Sequence, residues 1–294
     1  ASEGVLAAID PARLAVAVVN PNQQTVDVTW QCDGRDRTMS LQSQEKVAAS
    51  ALAPPFQFGG CTDLIQYLSS APIAVAAFLG DQEIPVWHAE LPEAGVRTIP
   101  FLSDGEIILV NRSNQPVTGT VKQFHSDGGE ASSTAYTLES KRSVRLRTTA
   151  EAQWAVIIAD TGGKAPEALA TVSGRGMVSG AIAGQDWDLV AGEGDAVVLV
   201  NPLNQSTNVQ LEGAGPVTVP PHSQILANVK LSQSRILRVR SDGAIVTATL
   251  RPRSVAAAAA AAGDSNERQV VFPHFAAGAG YSTELDRKST RLNS

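Results

Sequence analysis

The sequence predicts an all-β protein, organised as three tandem β-sandwich modules of about 90 residues each. A motif recurs at near-constant spacing, apolar residues alternate with period two, and turn-forming dipeptides interrupt the runs at short intervals.

The recurrence has three landmarks. "VVNPNQQTVDVTW" (18–30), "LVNRSNQPVTGTV" (109–121) and "LVNPLNQSTNVQL" (199–211) share a strand, an Asn and a later Asn-Gln step. Their first Asn residues, Asn20, Asn111 and Asn201, are 91 and 90 residues apart. "SLQSQEKV" (40–47), "TLESKRSV" (137–144) and "TVPPHSQI" (218–225) then align without a gap. The third landmark is "LIQYLSSAPIAVAAF", "WAVIIADTGGKAPEALATV" and "ILRVRSDGAIVTATL", which predicts a hairpin closing on a polar turn. In this alignment Trp154 falls opposite Ile236.

Within each unit the pattern is that of half-buried strands. In "RSVRLRT" Val144 and Leu146 oppose Arg145 and Arg147; in "RILRVRS" Leu237 and Val239 oppose Arg238 and Arg240. One face on a core and one in water demands this alternation. Turn signals (Asn-Pro, Asp-Gly, Pro-Pro, Gly-Gly) delimit enough short runs per unit for a β-sandwich. The alternative is a propeller with two blades per unit. At the Asn-Pro step, Asn caps the strand end, Pro presets the turn, and the later Asn is expected to adopt positive φ. That motif is a corner rather than a site.

These landmarks divide the chain into repeats at 1–102, 103–193 and 194–271, with the start of a truncated fourth at 272–285. The alanine run 256–262 is expected to be a surface-loop insertion, too short to nucleate a helix alone. "DRKSTRLNS" (286–294) matches a translated sequencing-library adapter and is set aside as non-native.

"HFAAGAGYSTEL", the "LVNP" strand, "TLESKRSVRLRT" and "RVRSDGAIVTATL" resemble the tandem β-sandwich repeats of large secreted bacterial surface proteins, some labelled fibronectin-type-III-like or immunoglobulin-like. The resemblance implies export to the cell surface or beyond, and supplies no catalytic residues. The chain departs from true immunoglobulin domains, because Trp30 precedes Cys32 and no Trp lies midway between Cys32 and Cys61.

Composition excludes several classes. Charged residues are 18% and the net charge is −6, which argues against a nucleic-acid binder. No apolar run approaches the ~18 residues that span a bilayer. Cys32 and Cys61 are either two buried thiols or a disulfide; the latter would mean an oxidising compartment. Two cysteines without a Cys-x-x-Cys do not supply the ligand set of a zinc site.

Chemistry-bearing motifs are sparse. "IIADTGGK" (157–164) has the Asp-Thr-Gly of aspartic proteases, but no second copy exists and Asp160 falls at an expected turn. Its Gly-Gly-Lys lacks the following Ser or Thr of a phosphate loop, since Ala165 stands there. His88, His125, His222 and His274 are isolated in sequence. In "QDWDLVAGEGD" the carboxylates Asp186, Asp188, Glu193 and Asp195 crowd a junction and form a weak calcium candidate, with a solvated acidic linker as the plainer reading. Trp87 and Trp187, also at junctions, would offer glycan-stacking rings if exposed.

The expected function is therefore a non-catalytic structural or adhesive array in an extracellular protein, whose first partners are its own neighbouring repeats. The alternative expectation is a set of glycan-binding accessory modules attached to a secreted hydrolase. No enzyme is expected within 1–285, since no nucleophile, acid–base pair or metal motif assembles in the sequence.

Overall fold

The computed structural model describes residues 1–256 except 62, 81, 85, 89–93, 173–175, 192–193, 213, 230–234 and 251–254. Most of the alanine run, the expected fourth-repeat start at 272–285, residues 286–294 and Glu193 thus lie outside the described residues.

Twenty-four strands and no helix make up the described chain. The first group comprises β1 (Glu3–Ala7), β2 (Leu14–Val19), β3 (Val26–Cys32), β4 (Arg35–Leu41), β5 (Lys46–Ser50), β6 (Leu64–Ser69), β7 (Ala74–Leu79), β8 (Gln82–Ile84) and β9 (Trp87–His88). The second comprises β10 (Val96–Ile99), β11 (Glu106–Val110), β12 (Val117–Phe124), β13 (Glu130–Leu138), β14 (Ser143–Arg147), β15 (Trp154–Ala159), β16 (Glu167–Val172) and β17 (Gly176–Ser179). The third comprises β18 (Gly184–Ala191), β19 (Ala196–Asn201), β20 (Thr207–Leu211), β21 (Val217–Val219), β22 (Ser223–Asn228), β23 (Arg235–Leu250) and β24 (Val255–Ala256).

All pairings between these strands are antiparallel, and the sheets fall into three pairs along the chain. The first pair is β4-β3-β6-β1-β9 with β5-β2-β7-β8. The second is β13-β12-β15-β10 with β14-β11-β16-β17. In the third, β20 and β18 flank the first half of β23, while β19 and β24 flank its second half. In the first two pairs the order of strands is fourth, third, sixth, first in one sheet and fifth, second, seventh, eighth in the other, with β9 added outside β1 in the first pair. In the third pair β23 takes both the sixth and the seventh place and β24 the eighth. The sheet grouping divides the chain earlier than the landmarks do, because β10 pairs with β15 and β18 with β23.

The third landmark is corrected. β6 and β7 lie in different sheets, as do β15 and β16, so the turn between them crosses from sheet to sheet instead of closing a hairpin. In the third pair the "RSDG" turn vanishes: β23 runs unbroken for 16 residues and serves both sheets.

Alternation fills a separate core in each pair. β3 reads buried at Val26, Val28, Trp30 and Cys32 with the intervening residues partly or fully exposed. Trp30 packs on Phe56, Phe58 and Tyr67 at centroid distances of 5.3, 5.7 and 5.4 Å. The second core gathers around Ile107, Leu109, Val121 and Ile157, and the third around Leu199, Val209, Leu237 and Val239. In the second pair Gly119 sits opposite Tyr136, whose ring occupies the space a Cβ would need.

Three times over, a buried Asn ties the corner. The Asn20 side-chain amide donates to the carbonyls of Gln24, Leu41 and Gln42 at 2.7, 3.1 and 2.9 Å, and its Oδ1 accepts from the Asn22 N–H at 2.9 Å. Asn111 repeats this with Gln115, Leu138 and Glu139 at 2.8, 3.2 and 2.9 Å, and Ser113 at 2.9 Å. Asn201 repeats it with Gln205, Val219 and Pro220 at 2.7, 3.1 and 2.9 Å, and Leu203 at 3.0 Å. The amide thereby satisfies carbonyls of two crossing segments that the ladders leave unpaired. The left-handed residue is not the later Asn, as expected from the turn chemistry. It lies in the second landmark, at Gln44 (φ 57°), Lys141 (φ 56°) and His222 (φ 47°). Each of these donates its N–H to the residue two after the buried Asn: Asn22, Ser113 and Leu203.

Candidate functional site

Of the four expected calcium ligands, Glu193 lies outside the described residues; the other three fall on β18 and at the entry to β19. Asp186 and Asp188 are two apart on β18, opposite Arg240 and Arg238 of β23. Arg240 Nε lies 3.4 Å from Asp186 Oδ1, and Arg238 Nε lies 3.5 Å from Asp188 Oδ1. Asp195 is buried at the entry to β19 instead. The same-face ladder sets each carboxylate beside an arginine across the strands, with Asp186 exposed and Asp188 half-buried. Among the described residues, one group has the spacing of metal ligands, Cys32, Asp33 and Cys61, and its sulfurs are already spent on each other. Cys32 and Cys61 form a disulfide with Cα atoms 5.9 Å apart, joining the end of β3 to the loop before β6.

The other motifs are placed as turns and packing. Asp160 is exposed, holds the hydroxyl of Thr118, and accepts the Gly163 N–H at 2.7 Å while Gly162 supplies a φ of 76°. His125 and His222 bond to the Glu151 carbonyl and the Asn204 side chain. Trp87 and Trp187 are buried, at 4% and 1% exposure, so neither presents a ring face to sugar. Trp154 is fully buried and stacks on Phe124 with centroids 4.3 Å apart and planes 16° apart.

The arrangement with the most consequence lies between the sheet pairs. In β11 all of Ile107, Ile108, Leu109 and Val110 are buried, which a strand covered on one face cannot achieve. Ile107 and Leu109 belong to their own core; Ile108, Val110 and Leu169 belong to the cluster of the first pair. The same split occurs in β19, where Val197 and Leu199 face inward and Val198 and Val200 join the second pair's cluster.

Polar contacts reinforce both seams. Asp63 accepts from Ser143 N at 2.6 Å, from the Ser143 hydroxyl, and from Arg142 Nη1 at 3.1 Å. Gln224 Nε2 donates to the carbonyls of Pro100 and Gln153 at 2.7 and 3.2 Å, and its N–H donates to Ser126 at 2.9 Å. Ser143 and Gln224 both follow the left-handed residue of their corner by two, so the repeated corner sets both seams.

Sequence reasoning missed Asp63 and Gln224, which carry no motif. It also missed a buried ion cluster in which Arg97 and Arg112 both donate to Glu167 Oε1, at 2.7 and 2.8 Å. This cluster lines a cleft of about 420 Å³ with Asn111, Asp160 and Lys164. No helix among the described residues is long and apolar enough to cross a membrane. No family model matches the chain, and no curated protein or solved structure matches it either.

Proposed function

We propose that the chain is a non-catalytic spacer array of an exported protein: three β-sandwich modules, immunoglobulin-like or fibronectin-type-III-like in plan, stacked through their sheet faces. The observation that carries this reading is the double burial of β11 and β19, each sealing its own core on one face and the neighbour's flank on the other. Apolar seams of this kind hold neighbours at fixed orientation, whereas flexible linkers leave domains free to reorient. The disulfide supports an oxidising, extracellular setting. The burial of Trp87 and Trp187 weighs against glycan-binding accessory modules. In the buried cluster Glu167 is paired with both Arg97 and Arg112.

Single-molecule pulling of the whole chain tests this function. Three unfolding events are expected, one per module. Each folded unit of this size releases about 3.3–3.6 Å of contour per residue. The first event should lengthen by the 32–61 loop only after reduction. A single event for the whole chain, or extension at negligible force, would refute a spacer made of modules.

A further inference from the structure

We infer that the outer edge of β13 is a self-pairing surface: β13 of a second copy adds to it antiparallel, about a two-fold axis through Ala135.

Among the described strands β13 pairs with β12 alone, at the end of its sheet. The direction of its backbone groups follows from the ladder. The Asp160 N–H donates to the Thr118 carbonyl at 3.0 Å, so Thr118 turns its backbone toward β15. Alternation then turns Gly119 and Val121 toward β13, where they face Tyr136 and Thr134. The residues between these, Ser133, Ala135 and Thr137, direct their N–H and carbonyl groups outward. All three are exposed, and no backbone bond outside the ladder engages them.

An open edge is a template for a further strand, and proteins blunt such edges with charge, proline or short length. The other two sheet pairs do so at the same place in the fold. Counted from the corner, Ser133 corresponds to Asp36 and Ala135 to Pro216. β4 carries Arg35, Asp36 and Arg37, all exposed. β21 has three residues and lies between Pro216 and Pro220. From Ala131 to Leu138, β13 has no charge, proline or glycine.

The strand's own sequence specifies the occupant. With the axis at Ala135, that residue faces its copy and Ser133 faces Thr137 on either side. Small side chains then meet at the centre and hydroxyl pairs flank them on one face. Glu130 falls opposite Ser140 and Glu139 opposite Ala131, so no like charges meet. A foreign strand would take its specificity from pockets beside the edge. The clefts around Trp87, Lys164, Asp36 and Gly59 have no lining residue from β13. The two four-stranded sheets become one continuous sheet, and the two-fold closes the assembly as a dimer.

Sedimentation velocity on the full chain, from micromolar to millimolar, tests the inference. The mass should rise from monomer toward dimer and stop there. Ala135→Pro, which copies Pro216, removes an outward N–H; Ser133→Asp, which copies Asp36, charges the edge. Each should stay a monomer throughout, and the second decides if the first does not fold. Register has its own readout. Ala135→Cys should oxidise to a covalent dimer, its Cα atoms lying about 5.5 Å apart across the axis, whereas Thr137→Cys should not. Four results would overturn the inference: a wild type that stays monomeric, association that survives a folded edge variant, cross-linking at Thr137 equal to that at Ala135, or a monomer that binds only an unrelated strand peptide.

Discussion

Asp63 accepts the backbone N–H of Ser143, 80 residues later in the chain and in a different sheet pair, at 2.6 Å. Its carboxylate also takes the Arg142 guanidinium, and it stays largely buried. One side chain therefore ties the disulfide loop of the first pair to the corner of the second. Asp63→Ala should leave the Ser143 N–H unpaired and lower the stability of the first seam by about 1–3 kcal/mol. Calorimetry should show the first two transitions drawing apart. Transitions that keep their spacing would show that the seam gains nothing from Asp63.

The buried Asn corners predict an asymmetric response to substitution. Asn111→Ala strips a donor from three carbonyls and should cost about 2–4 kcal/mol. Asn111→Asp should be worse near neutral pH, because a carboxylate would face the carbonyls of Gln115, Leu138 and Glu139. Its folded pKa would lie above the unfolded ~3.9, so the variant keeps its stability in acid and loses it as pH rises through the folded value. Denaturant melts of Asn111→Asp at acid and neutral pH check this, and an equal loss at both would contradict it.

The disulfide should matter locally. Removing it with Cys32→Ser and Cys61→Ser should cost about 3 kcal/mol in the chain-entropy model. Hydrogen exchange should quicken in β3 and in the loop leading into β6, which the bridge joins, and not in β12 or β15 of the second pair. Uniform acceleration across all three pairs would contradict separate cores.

Tyr136 provides an optical readout. Burial, with a smaller push from the Asp160 carboxylate, raises its phenol to about 12. The raised value favours the protonated folded form, so this contribution is intact below pH ~10 and is lost as pH climbs through 12. Ultraviolet titration should show a late-ionising tyrosine that disappears in Tyr136→Phe. Full ionisation of all tyrosines near 10 while the protein stays folded would contradict the burial.

How much of this was legible follows from what period-two patterning encodes. It marks which residues face a core, so the strands around Trp30, Leu146 and Val239 could be read directly. The Asn corner was legible because Asn, Pro and Gly carry their own turn chemistry; the left-handed role of Gln44, Lys141 and His222 was not, since none of these residue types announces positive φ. The sheet crossing after β6 and β15 looks like a hairpin in sequence, because a polar turn serves both; only the register reveals that β7 and β16 pair elsewhere. The seams had a signal that went unused: "EIILVN" and "AVVLVN" are apolar without alternation, the mark of a strand buried on both faces. Trp87 and Trp187 were misread because their segments were taken as junctions; they lie on β9 and β18 and belong to the clusters of their own pairs, with Trp187 beside Leu189 and Ala191.

The most direct test of a rigidly stacked array is the distance between its ends. Spin labels at Arg37→Cys and Gln210→Cys, both at exposed positions of the first and third pairs, report it without touching either seam. Pulsed dipolar spectroscopy on the dilute protein should give one narrow distance distribution, and Asp63→Ala should broaden it. A broad distribution in the otherwise unaltered chain would mean that the pairs reorient freely, and the stacked array would have to be abandoned.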